Sequence, residues 1–132
     1  MNGEITLLYR RRTMMGGKVE KKGELTTFAG TSTERIANKG IASDGSEVSV
    51  QWKCATPFLE IYPLSEVVYQ GYTATNDHGI AFYDKNKTFI AGSWSNVTGR
   101  VQKITAPEGA RYVRGTLMSE SSASYLKYYP IV

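Results

Sequence analysis

The stretch that most constrains this chain is Gly79-Ile80-Ala81-Phe82-Tyr83-Asp84-Lys85-Asn86-Lys87-Thr88-Phe89-Ile90-Ala91-Gly92. Ile80 and Phe82 alternate with Ala81 and Tyr83, and Phe89 and Ala91 alternate with Ile90. That is the period of two antiparallel strands, here joined by a polar turn of about four residues, Asp84 to Lys87. Asp and Asn suit such a turn because their side chains bond the local backbone and tolerate left-handed dihedrals. The hairpin therefore predicts an all-β domain with further strands laid against it.

Composition agrees. Apolar content of 41% and charge of 21% are those of a globular chain. Thirteen glycines, nine tyrosines and many Thr, Ser and Val residues favour strands and turns over helices. At 132 residues one domain is expected, with room for an appendage. No stretch approaches the roughly 20 apolar residues of a membrane-spanning helix. Nor does the start of the chain, where the basic residues follow a short apolar run, have the order of a signal peptide. A single cysteine, Cys54, excludes an internal disulfide and is expected to be a buried, inert thiol.

The charge is segregated. Residues 1–40 hold eight basic and four acidic side chains, and the rest of the chain balances, so the whole net charge of +4 belongs to the first third. Residues 1–45 also hold few large apolar side chains, too few to bury a core of their own. They predict an extended basic docking or assembly arm. Arg10, Arg11 and Arg12 are its charged contacts, and Met14 and Met15 its adaptable apolar ones. Within the arm, Leu25 to Phe28 predicts a short strand. Thr31 to Gly40 carries a helix start before Glu34 and a glycine stop, predicting at most two turns.

From residue 46 the pattern changes to short strands bounded by Gly, Pro and Asn. Val48, Val50, Trp52 and Cys54 share one face of the first, which assigns Trp52 to the core. Phe58 to Tyr62, Val67 to Thr73, the two arms of the hairpin, Val97 to Ile104, Ala110 to Leu117 and Tyr125 to Tyr129 complete the set. About eight short antiparallel strands predict a jelly-roll-like β-sandwich over residues 46–132.

Two of these stretches, Ala81 to Gly92 and Ile104 to Arg114, resemble a jelly-roll, carbohydrate-binding-module-like sandwich. Such modules recur in phage fibre and tail proteins and in surface proteins of gut bacteria. Pro57-Phe58-Leu59-Glu60-Ile61-Tyr62-Pro63 looks like the strand that precedes them in that module. Gly115 departs from the pattern, where a β-branched residue is commoner, and residues 1–45 fall outside the resemblance. The resemblance implies a non-catalytic subunit of a virion: a head fibre, capsid decoration or tail-associated protein. Its partners would be copies of itself, as a trimer by analogy with phage fibres, and other virion proteins. The resemblance implies no defined ligand; a host surface glycan is the one the aromatic residues suggest. The alternative it implies is a glycan-binding module at a bacterial cell surface.

Chemistry read from the residues points the same way. The one histidine, His78, lies in the turn-like Asn76-Asp77-His78-Gly79, with no nucleophile-elbow pattern near it. No P-loop or dinucleotide fingerprint occurs, so no enzyme, cofactor or metal is expected, although Asp77 and Asp84 could supply oxygen ligands to calcium. Nucleic acid is a poor match for the arm, whose basic residues are interleaved with four acids. Sugar recognition uses aromatic faces with polar neighbours. Trp94, set among small polar residues, is the first candidate, with Tyr72 and with Tyr83 and Arg114 of the two motifs. Tyr83, Asp84 and Arg114 also have a folding reading, Asp84 as turn former and Arg114 as partner to a buried acid or carbonyl.

Overall fold

A computed structural model describes residues 14–15, 18–71, 77–93 and 100–132. Among these residues every regular element is a strand. Met14–Met15 (β1) and Lys18–Val19 (β2) form a two-stranded ribbon. Then come Thr26–Ala29 (β3), Ile36–Ala42 (β4), Glu47–Ala55 (β5), Leu59–Glu60 (β6) and Glu66–Gln70 (β7). Asp77–His78 (β8), Ile80–Tyr83 (β9), Phe89–Ser93 (β10), Val101–Thr105 (β11), Tyr112–Met118 (β12) and Tyr125–Tyr128 (β13) follow.

The larger sheet runs β10-β9-β12-β5-β4-β8, with β6 also paired to β12, and the smaller runs β11-β7-β13-β3. All pairings are antiparallel. From β3 onward the chain passes repeatedly between sheets, and β3 ends beside β13, the last strand. That is the Greek-key order of a jelly-roll sandwich. Phe28, Val67, Tyr69 and Leu126 of the smaller sheet meet Cys54, Ile80, Phe82, Val113 and Leu117 of the larger in the main core.

The hairpin is the expected one. β9 pairs with β10, and Asp84 Oδ1 accepts from the backbone N–H groups of Asn86 at 2.8 Å and Thr88 at 2.9 Å. Ile80 and Phe82 enter the core between the sheets, while Ala81 and Tyr83 join a second apolar cluster on the other face.

The first third of the chain corrects two expectations. Thr31 to Gly40 is not helical: a turn at residues 30–34 leads into β4, whose Ile36 and Ala37 pair with Ala55 and Cys54 of β5. Two helical turns are too short to stand alone, and the ladder with β5 outweighs them. Nor does the sandwich begin at residue 46. Phe28 and Ile41 are buried, on β3 and β4, so residues 26–42 are part of both sheets. Their two basic side chains, Arg35 and Lys39, are half-buried against the sandwich rather than part of a separate arm. Residues 20–23 are strapped to the C-terminal end: Gly23 N–H donates to Pro130 O at 2.7 Å, and Val132 N–H to Lys21 O at 3.0 Å. Arg111 lies 2.9 Å from Glu20. Met14 and Met15 lie in the β1–β2 ribbon, and Arg10, Arg11 and Arg12 lie outside the described residues.

The β4–β5 hairpin bends sharply. Its register jumps from Ala37↔Cys54 to Lys39↔Ser49, so Val50 to Lys53 stand opposite Asn38 alone. Asn38 and Trp52 both take left-handed backbone angles, with φ of 59° and 68°. Asn visits that region readily, whereas a bulky residue is held there at a cost of roughly 1–2 kcal/mol. The bend folds the tip of the hairpin over the outer face of the larger sheet. Ile41 becomes fully buried against Ala81 and Tyr83, and its N–H donates to Thr116 Oγ1 at 3.0 Å. Burying Ile41 contributes about 1.5–3 kcal/mol, which offsets the strain.

Gly115 has a packing reason. A Cβ there would lie 2.8 Å from Leu126 Cδ1 and 2.9 Å from Gly79 O, so the two sheets approach through the missing side chain. Gly115→Val is expected to lose roughly 1–3 kcal/mol of stability by overpacking, read as a lower urea midpoint. Trimming the opposing side chain in Gly115→Val/Leu126→Ala should cost less than the sum of the two single changes.

Candidate functional site

Two of the residues singled out for glycan contact are brought together, but as supports. Tyr83 is 2% exposed and Arg114 5%. The Tyr83 hydroxyl donates to Gly45 O at 2.7 Å, and the Phe58 ring stands edge-on to the Tyr83 ring at 4.8 Å. Arg114 donates from Nε to Thr56 O at 2.9 Å and from Nη2 to Glu47 Oε1 at 3.0 Å, with Phe58 4.7 Å from its guanidinium carbon. Both side chains thus fasten the folded-over hairpin to the sheet, and neither turns a face outward. Tyr72 and Trp94 lie outside the described residues.

Burial first, then the nearby Asp44 and Glu47 charges, push the Tyr83 phenol up to about 12, against the opposing pull of Arg114. Burial also raises the phenol of Tyr69, whose hydroxyl donates to Thr116 O at 2.7 Å across the sandwich. The folded state therefore favours the neutral phenols. The Tyr83 contribution is complete below the ordinary value of 10.0 and is lost as pH rises from there through about 12, while that of Tyr69 is lost over a range reaching higher still. Urea midpoints measured from pH 8 upward should hold level and then fall above about 10. Tyr83→Phe should lower the plateau by about 1 kcal/mol and make that fall shallower.

His78 stacks on Phe89 at 5.5 Å, with Nε2 3.0 Å from Ser43 O. Burial raises the Cys54 thiol, which suits the inert role expected of it. Among the described residues no group of three or more His, Cys, Asp or Glu side chains could hold a metal ion.

Among the described residues the large exposed aromatic is Trp52. Assigned to the core by its alternation, it is instead 77% exposed, because the extra residues of the bend shift the strand's parity: Val50 is half-buried, Trp52 outside, and Lys53 and Cys54 buried. A bulge of this kind re-aims a side chain. Trp52 borders a half-open cleft of about 520 Å³ between the bend and the turn after β12. Arg35, Asn38, Met118, Ser119 and Glu120 line it with Trp52.

The surroundings fix its shape. Ser119 N–H donates to Trp52 O at 3.2 Å, which ties the turn after β12 to the bend. Glu120 N–H donates to Gly30 O at 2.7 Å, and Gly30 N–H to Ser124 O at 2.8 Å. Arg35 Nη1 donates to Ser32 O at 2.8 Å, while Nη2 stands 3.8 Å from Glu120 Oε1. The cleft thus offers a broad aromatic surface, the exposed thioether side chain of Met118 and a rim of donors and acceptors. It can hold a small amphipathic ligand. Nothing in the sequence marks Trp52 for this role, since its spacing from Val48, Val50 and Cys54 is that of a core position.

Compared with protein-family models, curated proteins and solved structures, the chain gives no match.

Proposed function

We propose that this chain is a non-enzymatic structural subunit of a bacteriophage particle whose jelly roll is displayed outward as an adhesion module for a host surface glycan. The observation that carries the adhesive part is Trp52: a large aromatic held outside the fold, in a strained backbone conformation, beside polar side chains. Strain retained at an exposed position is characteristic of functional sites, and an exposed indole beside hydrogen-bonding groups suits a sugar ring. The virion part is supported by the resemblance of residues 81–92 and 104–114 to phage fibre and tail modules. Residues before the strap at Glu20, including Arg10 to Arg12, are then the segment that anchors the sandwich to neighbouring subunits, in a homotrimer. The same cleft would serve a bacterial surface protein, and the assembly state separates the two readings.

A glycan array probed with the full chain is expected to show saturable binding. Trp52→Asn keeps a residue tolerant of the left-handed backbone and removes the indole. It should weaken binding about tenfold or more, or ~1.4 kcal/mol, with an unfolding midpoint close to that of the parent. Silence across host polysaccharides, or full binding by Trp52→Asn, counts against the adhesive role. Light scattering at high concentration should report a trimer. A monomer that binds no virion component would remove the particle reading.

A further inference from the structure

We infer that the Trp52 cleft selects uncharged sugar residues, and that Arg35 and Glu120 set this preference as a pair of opposite sign; the inference rests on the glycan reading of the same cleft. The two side chains line the cleft together with Trp52. Arg35 is held in place, its Nη1 donating to Ser32 O at 2.8 Å and standing 3.4 Å from Thr31 O. Glu120 is anchored through its backbone, with its side chain 81% exposed. The 3.8 Å between Arg35 Nη2 and Glu120 Oε1 exceeds a good hydrogen bond, so the carboxylate keeps acceptor capacity for a ligand.

Each hydroxyl of a neutral sugar both donates and accepts. Arg35 supplies donors, Glu120 supplies acceptors and Asn38 supplies both, while Trp52 and Met118 face the apolar side of a ring. A carboxylated sugar would bring a negative charge beside Glu120, and an aminosugar cation would bring a positive one beside Arg35. Either meets a like charge at short range, while the attraction of the opposite member is already partly spent within the pair. A ligand with hydroxyls alone satisfies both side chains without that conflict.

The test is calorimetric titration of the full chain with neutral gluco-, galacto- and manno-oligosaccharides, and with oligogalacturonate and sialyllactose as anionic probes. At least one neutral oligosaccharide should bind about tenfold or more tighter than either anionic probe. Its affinity should change less than about twofold between low and high salt, since no net charge is neutralised. Glu120→Gln removes the negative charge and keeps the amide polar. It should narrow the neutral-to-anionic ratio about fivefold or more, while Trp52→Asn weakens every ligand alike. Preferential binding of an anionic probe by the parent chain, or an unchanged ratio in Glu120→Gln, overturns the charge-pair inference but leaves the glycan reading standing if Trp52→Asn still weakens binding about tenfold or more. No binding of any saccharide overturns both.

Discussion

The bend in the β4–β5 hairpin is the constraint on which the rest of the structure depends. Two left-handed residues, Asn38 and Trp52, let one long hairpin belong to the larger sheet at its base and cover that sheet's outer face at its tip. Without the fold-over, Ala81, Tyr83 and Phe89 would present an apolar patch to solvent. With it, Ile41 is buried, Tyr83 gains a carbonyl partner in Gly45, and Arg114 gains a carboxylate in Glu47. Gly45 itself, at φ 85°, lies so close to Phe89 that a Cβ would stand 2.5 Å from its ring. The strain at Trp52 is small beside what the covered face gains. Its by-product is an indole left outside, and that by-product builds the cleft.

Hydrogen bonds add to the apolar contact between the two sheets, and they converge on β12. Thr116 accepts from the Tyr69 hydroxyl through its carbonyl, accepts from Ile41 N–H through Oγ1, and donates from Oγ1 to His78 O. One residue thus links β7 of the smaller sheet with β4 and β8 of the larger. Next to it, Gly115 exchanges hydrogen bonds with Thr56 through both its N–H and its carbonyl. Thr56, Tyr69 and Thr116 are tolerable in the interior because their hydroxyls have these partners, and removing one strands the other at a cost of about 1–3 kcal/mol. The turn after β12 continues this strand, and the cleft wall at Ser119 and Glu120 is tied to Trp52 of the bend and to Gly30 after β3.

Where the sequence was legible, its signals were local. Alternation in Ile80 to Tyr83, the Asp84 turn and the strand-like runs at residues 67–73, 97–104 and 125–129 can each be read from a few neighbouring residues. They predicted the all-β class and the sandwich. Trp52 failed because alternation assumes an unbroken strand, and the bulge opposite Asn38 reset the parity inside it. The boundary near residue 46 failed for a related reason. Charge segregation is a property of surfaces, and residues 26–42 leave Glu34 exposed and Arg35 and Lys39 half-buried while Phe28 and Ile41 enter the interior. Tyr83 and Arg114 stood out in sequence for their place in the motifs, and they prove to be fastenings.

Taken alone, the amino-acid order settled the all-β class, the Asp84 turn and the alternation of the hairpin that follows Gly79, because these depend on neighbours one to four residues apart. Which strands share a sheet, which face receives a cover and which tryptophan stays outside were decided only in three dimensions. Those outcomes depend on contacts between residues such as Ile41 and Thr116, or Arg35 and Glu120, that the chain separates widely. No local pattern records where an apolar face lacks a lid, and it is that lack which bends the hairpin and exposes the cleft.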